Sequence, residues 1–590
     1  MKYRYSVLSL LCFFIAFRSD AQEFRINLAG YLPDGSKKVL FLDLEFSTER
    51  RFVLKSVADS HFELQLKAYS KTNWKPFERT FEIQFDEFQN GGEYFIQELN
   101  SGLQSKPFTI GLFPDWQEDV IGFMQTQRCG FNPYIGDSCH KRDGLSFYGL
   151  VPDSSLVDAR GGWHDAGDQL KYLITGSNAT ARMLQAWLKY PNQFKDQVLS
   201  NGLKGENGLP DVLDEARWGL EWLLRLHPQK EVLYHQVADD RDHHGFKMPQ
   251  NDNADYGWGA NDYRPVYAAT GRPQGLGKYK SKATGYANLA GRTAAALALG
   301  FQAFEQFDET MIFAKRCLQA ALEVYQLGKE NEGFQQGNSY GAPYRYEENT
   351  WADDMEWAAA ELYKVTNQKT YLKDARKYAE EIGNWSWMQR DTASHYEMYP
   401  FVNMGHYAFW QTGNRKDKKR AAEYYRQNLK KVQERAAGNP YGVGHLFIWC
   451  SNNLSSAVAT QAILYEEMTG DTQFRQLIFN QINWIFGLNP WGTSMITGLP
   501  ENADWPLDVH MPFWVLNKQV VKGSLVDGPL WSTIHDGMLG IQLSEEDEYK
   551  DYQPPHIRYH DDYADYSTNE PTMDGSADLI LLLTYLNTGR

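Results

Sequence analysis

The sequence predicts a mainly α-helical protein in which a small β-sandwich precedes a closed ring of helices. Three observations carry that expectation. Residues 23–112 read as short β-branched and aromatic runs broken by Gly, Asn and Asp turns. After Pro114-Asp115-Trp116 the apolar residues switch to helical spacing, and such stretches recur to the end of the chain. No repeat of short period is visible, which excludes a stacked solenoid.

In chain order, residues 1–21 read as a signal peptide: Lys2 and Arg4 precede the apolar run 7–17, and Ser19-Asp20-Ala21 offers a small-x-small cleavage site. An exported protein, periplasmic or secreted, is expected. No apolar run approaches the roughly 18 residues needed to cross a bilayer, so no transmembrane segment is expected. Residues 22–112 make the sandwich, with strands at Lys38-Val39-Leu40-Phe41-Leu42, Arg51-Phe52-Val53-Leu54 and Phe81-Glu82-Ile83-Gln84-Phe85. Residues 113–590 make the helical domain, with helices predicted at 211–226, 284–304, 308–327, 351–365, 370–384, 417–436, 455–469, 471–486 and 573–586, and less regular ones at 116–126 and 177–190. Long loops rich in Gly, Asn, Asp and aromatics join them, and in a closed ring such loops gather on one face.

The charge balance narrows the partners. Lys+Arg number 59 against Asp+Glu 75, a net −16, the wrong sign for nucleic acid or an anionic membrane. Aromatics make up 14% of the chain, with 18 Trp and 35 Tyr; such rings suit a groove that grips sugars, and they suit a core equally. Beyond the signal only Cys129, Cys139, Cys317 and Cys450 remain, too few for a disulfide scaffold in so long a chain.

Two motifs carry chemistry. Gly161-Gly162-Trp163-His164-Asp165-Ala166-Gly167-Asp168 places two carboxylates three apart among glycines that let the backbone approach a ligand, so both can converge on one water or metal. His560-Asp561-Asp562-Tyr563-Ala564-Asp565-Tyr566-Ser567-Thr568-Asn569-Glu570 precedes an apolar helix, and taken alone it reads as an acidic helix start capped by Ser567 or Thr568. Asp562 and Asp565 would supply negative charge around Glu570. Cys129, Cys139, His140 and His164 form a third constellation, a ligand set for tetrahedral zinc, with a Cys129–Cys139 disulfide as the rival. In Glu347-Glu348-Asn349-Thr350-Trp351-Ala352-Asp353-Asp354, Asp353 and Asp354 offer oxygen ligands for calcium, or simply an acidic helix start. Asp239-Asp240-Arg241-Asp242 with His243-His244 offers oxygen and imidazole ligands for another ion, or simply a solvated charged loop, the commoner case.

Both carboxylate motifs, in this order and with helices between them, resemble glycoside hydrolase family nine, whose members are mostly β-1,4-glucanases. Arg25-Ile26-Asn27-Leu28-Ala29-Gly30-Tyr31 resembles the opening of the immunoglobulin-like module found in one branch of that family, and Gly487-Leu488-Asn489-Pro490 and Gly523-Ser524-Leu525-Val526-Asp527-Gly528-Pro529 resemble further family segments. The resemblance implies an (α/α)6 barrel and an inverting, endoglucanase-like hydrolase of β-glucan in plant cell-wall polysaccharide. It implies Asp168 as general base, Asp165 as its partner in holding the water, and Glu570 as general acid. The same branch binds zinc through a Cys, a Cys-His pair and the His beside the first catalytic Asp. Other readings are an exo-acting oligosaccharidase on cello-oligosaccharides or glucosaminides, and a catalytically idle glycan-binding protein.

Departures from the family pattern bear on specificity. Pro506-Leu507-Asp508-Val509-His510-Met511-Pro512 stands where endoglucanases carry a Pro-His-His-Arg-like segment, so His510 is the candidate sugar-contacting histidine and the matching arginine is absent. Trp449-Cys450-Ser451-Asn452 replaces a Trp-Gly-Ser-Asn segment, and Tyr566 matches a groove tyrosine.

Overall fold

The structure, a computed structural model, describes residues 22–43, 49–71, 74–259, 263–342, 345–390 and 401–589. The signal-peptide expectation for residues 1–21 lies outside them. Eight strands form the N-terminal module: β1 (Gln22–Arg25), β2 (Lys38–Asp43), β3 (Phe52–Ser56), β4 (Glu63–Leu66), β5 (Ala68–Lys71), β6 (Arg79–Gln84), β7 (Gly92–Glu98) and β8 (Phe108–Ile110). They pair into two antiparallel sheets, ordered β1-β2-β6-β5 and β4-β3-β7-β8. Val39, Phe41, Phe52, Leu54, Ile83 and Ile96 pack between them. Every residue of β2 is buried. Its odd side faces the sandwich core, while Leu40 and Leu42 join the core of the helical domain, which is why this strand reads as a continuous apolar run.

Among the described residues fourteen α-helices are present; setting aside the short Pro512–Asn517 and Ser532–His535, twelve remain. They are α1 (Gln117–Thr126), α2 (Leu173–Lys189), α3 (Asp211–Leu226), α4 (Ala287–Phe304), α5 (Met311–Glu330), α6 (Ala352–Thr366), α7 (Lys369–Ile382), α8 (Met404–Thr412), α9 (Arg415–Ala436), α10 (Ser451–Thr469), α11 (Arg475–Ile485) and a C-terminal helix, Met573–Thr588. The chain alternates between two rings. α2, α4, α6, α10 and the C-terminal helix are buried almost all round, whereas α5, α7 and α9 bury a single stripe. The inner helices pack side by side, α2 on α4, α4 on α6, α6 on α8, and the C-terminal helix on both α10 and α2. This is an (α/α)6 barrel. Sequence periodicity missed α8, a short inner helix with few polar positions to alternate against its buried ones.

It also missed a five-stranded sheet beside the barrel mouth, ordered Ser155–Leu156, Asp143–Phe147, Arg264–Ala268, Tyr234–Val237, Lys171–Tyr172. These strands are short and come from distant parts of the chain, so no local pattern announces them. The last of them leads directly into α2. It is anchored by buried Lys171, whose Nζ lies 2.8 Å from Asp143 Oδ2, while Arg264 Nε donates to Asp143 Oδ1 at 2.7 Å.

The sandwich sits against α11 and explains why that outer helix is buried on every side from Leu477 to Ile485. Asn27 Nδ2 donates to Asn483 Oδ1 at 2.9 Å, Leu28 N–H to Phe486 O at 2.7 Å, and buried Lys38 Nζ to Tyr441 O at 2.6 Å. Burial pushes Lys38 down to about 8, partly offset by Glu82. Asn27→Ala leaves a buried amide unanswered and is expected to cost about 1–3 kcal/mol in denaturant unfolding. The double variant Asn27→Ala/Asn483→Ala should cost less than the sum of the two single variants, the coupling that a shared interface contact requires.

Candidate active site

The loop 161–168 enters the barrel mouth just before α2. Gly162 has φ +73°, and a Cβ there would lie 2.5 Å from the Trp222 ring, so only glycine lets the loop pass that indole. The two acidic side chains then part company. Asp165 is 6% exposed, and its oxygens accept hydrogen bonds from Thr175 Oγ1 and Tyr346 OH, each at 2.5 Å. Burial first, and then Asp574 and Asp168, push its carboxyl well above the usual range. Asp168 is more open, with a side chain 18% exposed; Oδ1 accepts from Leu170 N–H at 2.8 Å and Oδ2 lies 3.4 Å from His243 Nε2.

Glu570 reaches the same loop from the other end of the chain. Its Oε1 accepts the Gly167 N–H at 2.9 Å. Burial, followed by Asp168 and Asp527, holds its carboxyl well above the usual range, the direction a general acid needs. The acids expected from sequence to do this, Asp562 and Asp565, are otherwise engaged. Asp562 accepts from Ser544 and from Glu545 N–H, and Asp565 is kept ionised, against its burial, by His535 and His560. The helix-start reading of Glu570 does not hold either, since the helix begins at Met573 with Thr572 as its N-cap.

The candidate sugar contacts gather nearby. The Trp449 and Tyr566 rings lie 5.8 Å apart and those of Tyr566 and His510 6.2 Å apart, with Tyr566 OH donating to Leu539 O at 2.8 Å. Burial lowers His510 to about 4, which leaves it neutral.

The acidic part of the charged loop, Asp239 to Asp242, is taken out of solvent, contrary to its composition, while His243 and His244 stay exposed. Asp239 and Asp242 are buried: Asp239 accepts from Tyr267 OH at 2.5 Å and pairs with Arg241, and Asp242 accepts from Gln169 N–H at 2.5 Å. Burial opposes protonation of His243, but Asp168 and Asp242 raise it to about 9, so it faces Asp168 as a cation. Sequence reasoning missed His243, Tyr346 and Thr175 in this role. Only the clustering of His243 with carboxylates hinted at it.

Two clusters could hold metal. Cys129 Sγ lies 3.6 Å from His140 Nδ1, Cys139 Sγ 3.7 Å from His164 Nε2, and the two imidazole nitrogens are 3.3 Å apart. Donors about 2.0 to 2.3 Å from a tetrahedral zinc lie roughly 3.3 to 3.8 Å from one another, so these four fit it. His140 Nε2 is in turn 3.0 Å from Asp252 Oδ2, the outer carboxylate that commonly orients such a ligand. Cys129 and Cys139 are unbonded to each other in this structure. The second cluster, Glu348, Asp353 and Asp354, leaves Glu348 Oε1, Asp353 Oδ1 and Asp354 Oδ2 buried without a hydrogen bond, yet Arg292 Nε already donates to Asp354 Oδ1 at 2.7 Å. Asp353 and Asp354 also form the acidic first turn of α6.

Residues 113–583 match the family described as glycosyl hydrolase family 9, and residues 19–101 match the cellulase N-terminal ig-like domain. The chain belongs to glycosyl hydrolase family 9. Endoglucanase D of Acetivibrio thermocellus is 23% identical over 513 residues, which span 82% of this chain and 74% of that protein. A cellulose 1,4-beta-cellobiosidase from the same organism is 23% identical over 651 residues, 96% of this chain and 67% of the relative. The crystal structure of a metagenome-derived family 9 endoglucanase shares the fold, with a TM-score of 0.75 and 23% identity over 96% of this chain and 99% of that one.

This family 9 protein is thus a glycoside hydrolase, an (α/α)6 barrel behind an immunoglobulin-like module. Its site loops tolerate little change. A Cβ on Gly167 would lie 2.4 Å from His510 O and 2.9 Å from Glu570 Oε1. Gly167→Ala is therefore expected to displace Glu570 and reduce kcat/KM by on the order of 100-fold, with the melting temperature changed far less; steady-state kinetics beside thermal unfolding check this.

Proposed function

We propose that the protein is an exported, inverting hydrolase of β-1,4-glucan, endoglucanase-like and active in plant cell-wall polysaccharide breakdown. Asp168 is the general base, Asp165 helps to hold the attacking water, and Glu570 is the general acid. The observation that carries this reading is the pairing of a buried Glu570, whose carboxyl is raised well above the usual range, with the loop bearing the more open Asp168. Inversion needs one carboxylic acid for the leaving oxygen and one carboxylate for the water. His243, raised to about 9, stands 3.4 Å from Asp168 Oδ2 and supplies a counter-charge there. Trp449, Tyr566 and His510 supply two aromatic faces and a neutral imidazole for the sugar, and the expected arginine is absent from the segment 506–512. Glu570→Gln should abolish turnover of unactivated β-glucan and spare activated aryl glycosides, whereas Asp168→Asn should cripple both. The anomer first seen by NMR should be inverted. Turnover should be stronger on soluble β-glucan and oligosaccharides than on crystalline cellulose.

Cys129, Cys139, His140 and His164 would hold a structural zinc, with all four positions filled by protein. Bound there, zinc would supply a rigid clip for the loop that continues from His164 into Asp165. Metal analysis should give about one zinc per chain, and Cys139→Ala should lower the melting temperature before it alters the chemistry. No zinc together with a mass two protons below the reduced chain would favour the disulfide. Calcium at Asp353 and Asp354 rests on the three buried oxygens without a hydrogen bond, one of which, Glu348 Oε1, already lies 3.6 Å from Arg292.

A further inference from the structure

Beside the run that carries Glu570 lies a group of metal-ligand type to which the proposed chemistry gives no ligand. His535 Nε2 is 2.9 Å from Asp565 Oδ2, and His560 Nδ1 is 2.7 Å from the same oxygen. The two imidazoles and the carboxylate each offer one donor atom within 4.8 Å of the others. They come from two segments: His535 ends the short helix Ser532–His535, and His560 and Asp565 precede Glu570. Asp565 and His560 are buried, and the His535 side chain is 11% exposed, so the group lies just below the surface.

Each donor also has a partner on its far side. His560 Nε2 is 3.8 Å from Asp547 Oδ2, and His535 Nδ1 is 3.7 Å from Oδ1 of the exposed Asp536. Asp565 Oδ1 accepts from Ser567 N–H at 3.1 Å and from Ser567 Oγ at 2.7 Å. A histidine that binds a cation through one nitrogen carries its proton on the other, where a carboxylate or carbonyl meets it, and a ligating carboxylate is itself hydrogen-bonded. All three donors follow that pattern. Two neutral imidazoles that merely donated to Asp565 would turn bare lone pairs towards Asp547 and Asp536, which repel them. Two imidazolium rings satisfy every contact as well, so the readings differ in what occupies the centre: two protons or one divalent ion.

The spacing and the surroundings favour the ion. Donors about 2.0 to 2.1 Å from an ion and at right angles around it lie about 2.9 Å apart, close to the 2.7 and 2.9 Å found here. Two imidazoles select a first-row transition ion over calcium or magnesium, which take oxygen ligands. His560 also lines a cavity of about 420 Å³ walled by acids, among them Asp504, Glu545, Asp547 and Asp562, with no lysine or arginine among its described lining residues. Such a wall concentrates cations beside the group.

We propose that His535, His560 and Asp565 bind a divalent first-row transition ion, separate from the cysteine cluster, which ties the segment 532–539 to the run carrying Tyr566. Tyr566 follows Asp565 directly, and its OH already donates to Leu539 O at 2.8 Å.

The probes are zinc and cobalt alone, added to the full chain. Equilibrium dialysis against zinc should leave about one more ion on the native chain than on His535→Ala or His560→Ala, since whatever the cysteine cluster holds is common to all three. Zinc should raise the melting temperature of the native protein by more than that of His535→Ala. Cys139→Ala should keep the extra ion. One equivalent of cobalt taken up by the native chain should absorb without sulfur-to-cobalt charge transfer, a readout that needs no variant to fold. Equal zinc content in the native chain and both histidine variants overturns the proposal, as does a native chain whose bound cobalt is all sulfur-ligated; Asp565 is then held by imidazolium protons alone.

Discussion

One hydrogen bond closes the active face: Gly167 N–H to Glu570 Oε1, between residues 403 positions apart. It sets the Glu570 carboxyl against the loop that carries Asp165 and Asp168. Both partners depend on the barrel closing, because the loop precedes α2, Glu570 precedes the C-terminal helix, and those two inner helices pack on each other. The bond also fixes residue type, for any Cβ at position 167 would strike His510 O and Glu570 Oε1. Ring closure, loop glycine and acid placement are therefore a single constraint.

The inner helices set where the site lies. Asp165 and Asp168 precede α2, Tyr346 precedes α6, Trp449 and Cys450 precede α10, and Glu570 precedes the last helix. The N-terminal ends of these inner helices thus meet at one mouth of the barrel, and their partial positive charge offsets part of the repulsion among the carboxyls gathered there. The remaining charge is answered locally. His243 stands on Asp168, two histidines hold Asp565, and Arg264 and Lys171 hold Asp143. At Glu570 and Asp165, burial and the neighbouring acids instead push the carboxyls well above the usual range.

Support for the loop comes from its far side. His164 belongs to the Cys and His cluster, Asp165 follows it, and the strand Lys171–Tyr172 clips the loop's exit into the small sheet. The sandwich contributes at a distance by covering α11, an outer helix that would otherwise expose an apolar surface. Its strand β2 serves two cores at once, so module and barrel behave as one packed body at that seam.

The sequence by itself determined the two-part architecture, because period-2 and period-3.6 patterns are local, and most helices lie within a few residues of where their apolar spacing put them. It also pointed to candidate site residues, because the acids among the glycines of 161–168 and the Glu570 run together carry the family resemblance, and the cysteines and histidines around them are residue types that suit zinc. Tertiary structure alone decided how the charges are shared. Asp565 and Asp562 looked like the neighbours of Glu570, yet Asp527 takes that place from a separate loop. His243, in a run that reads as solvated, is folded onto Asp168, and the five-stranded sheet assembles from pieces too short to show a period. The physical reason is the same in each case: burial and like-charge repulsion depend on which loops meet at the barrel mouth, and that is set by ring closure rather than by proximity in the chain.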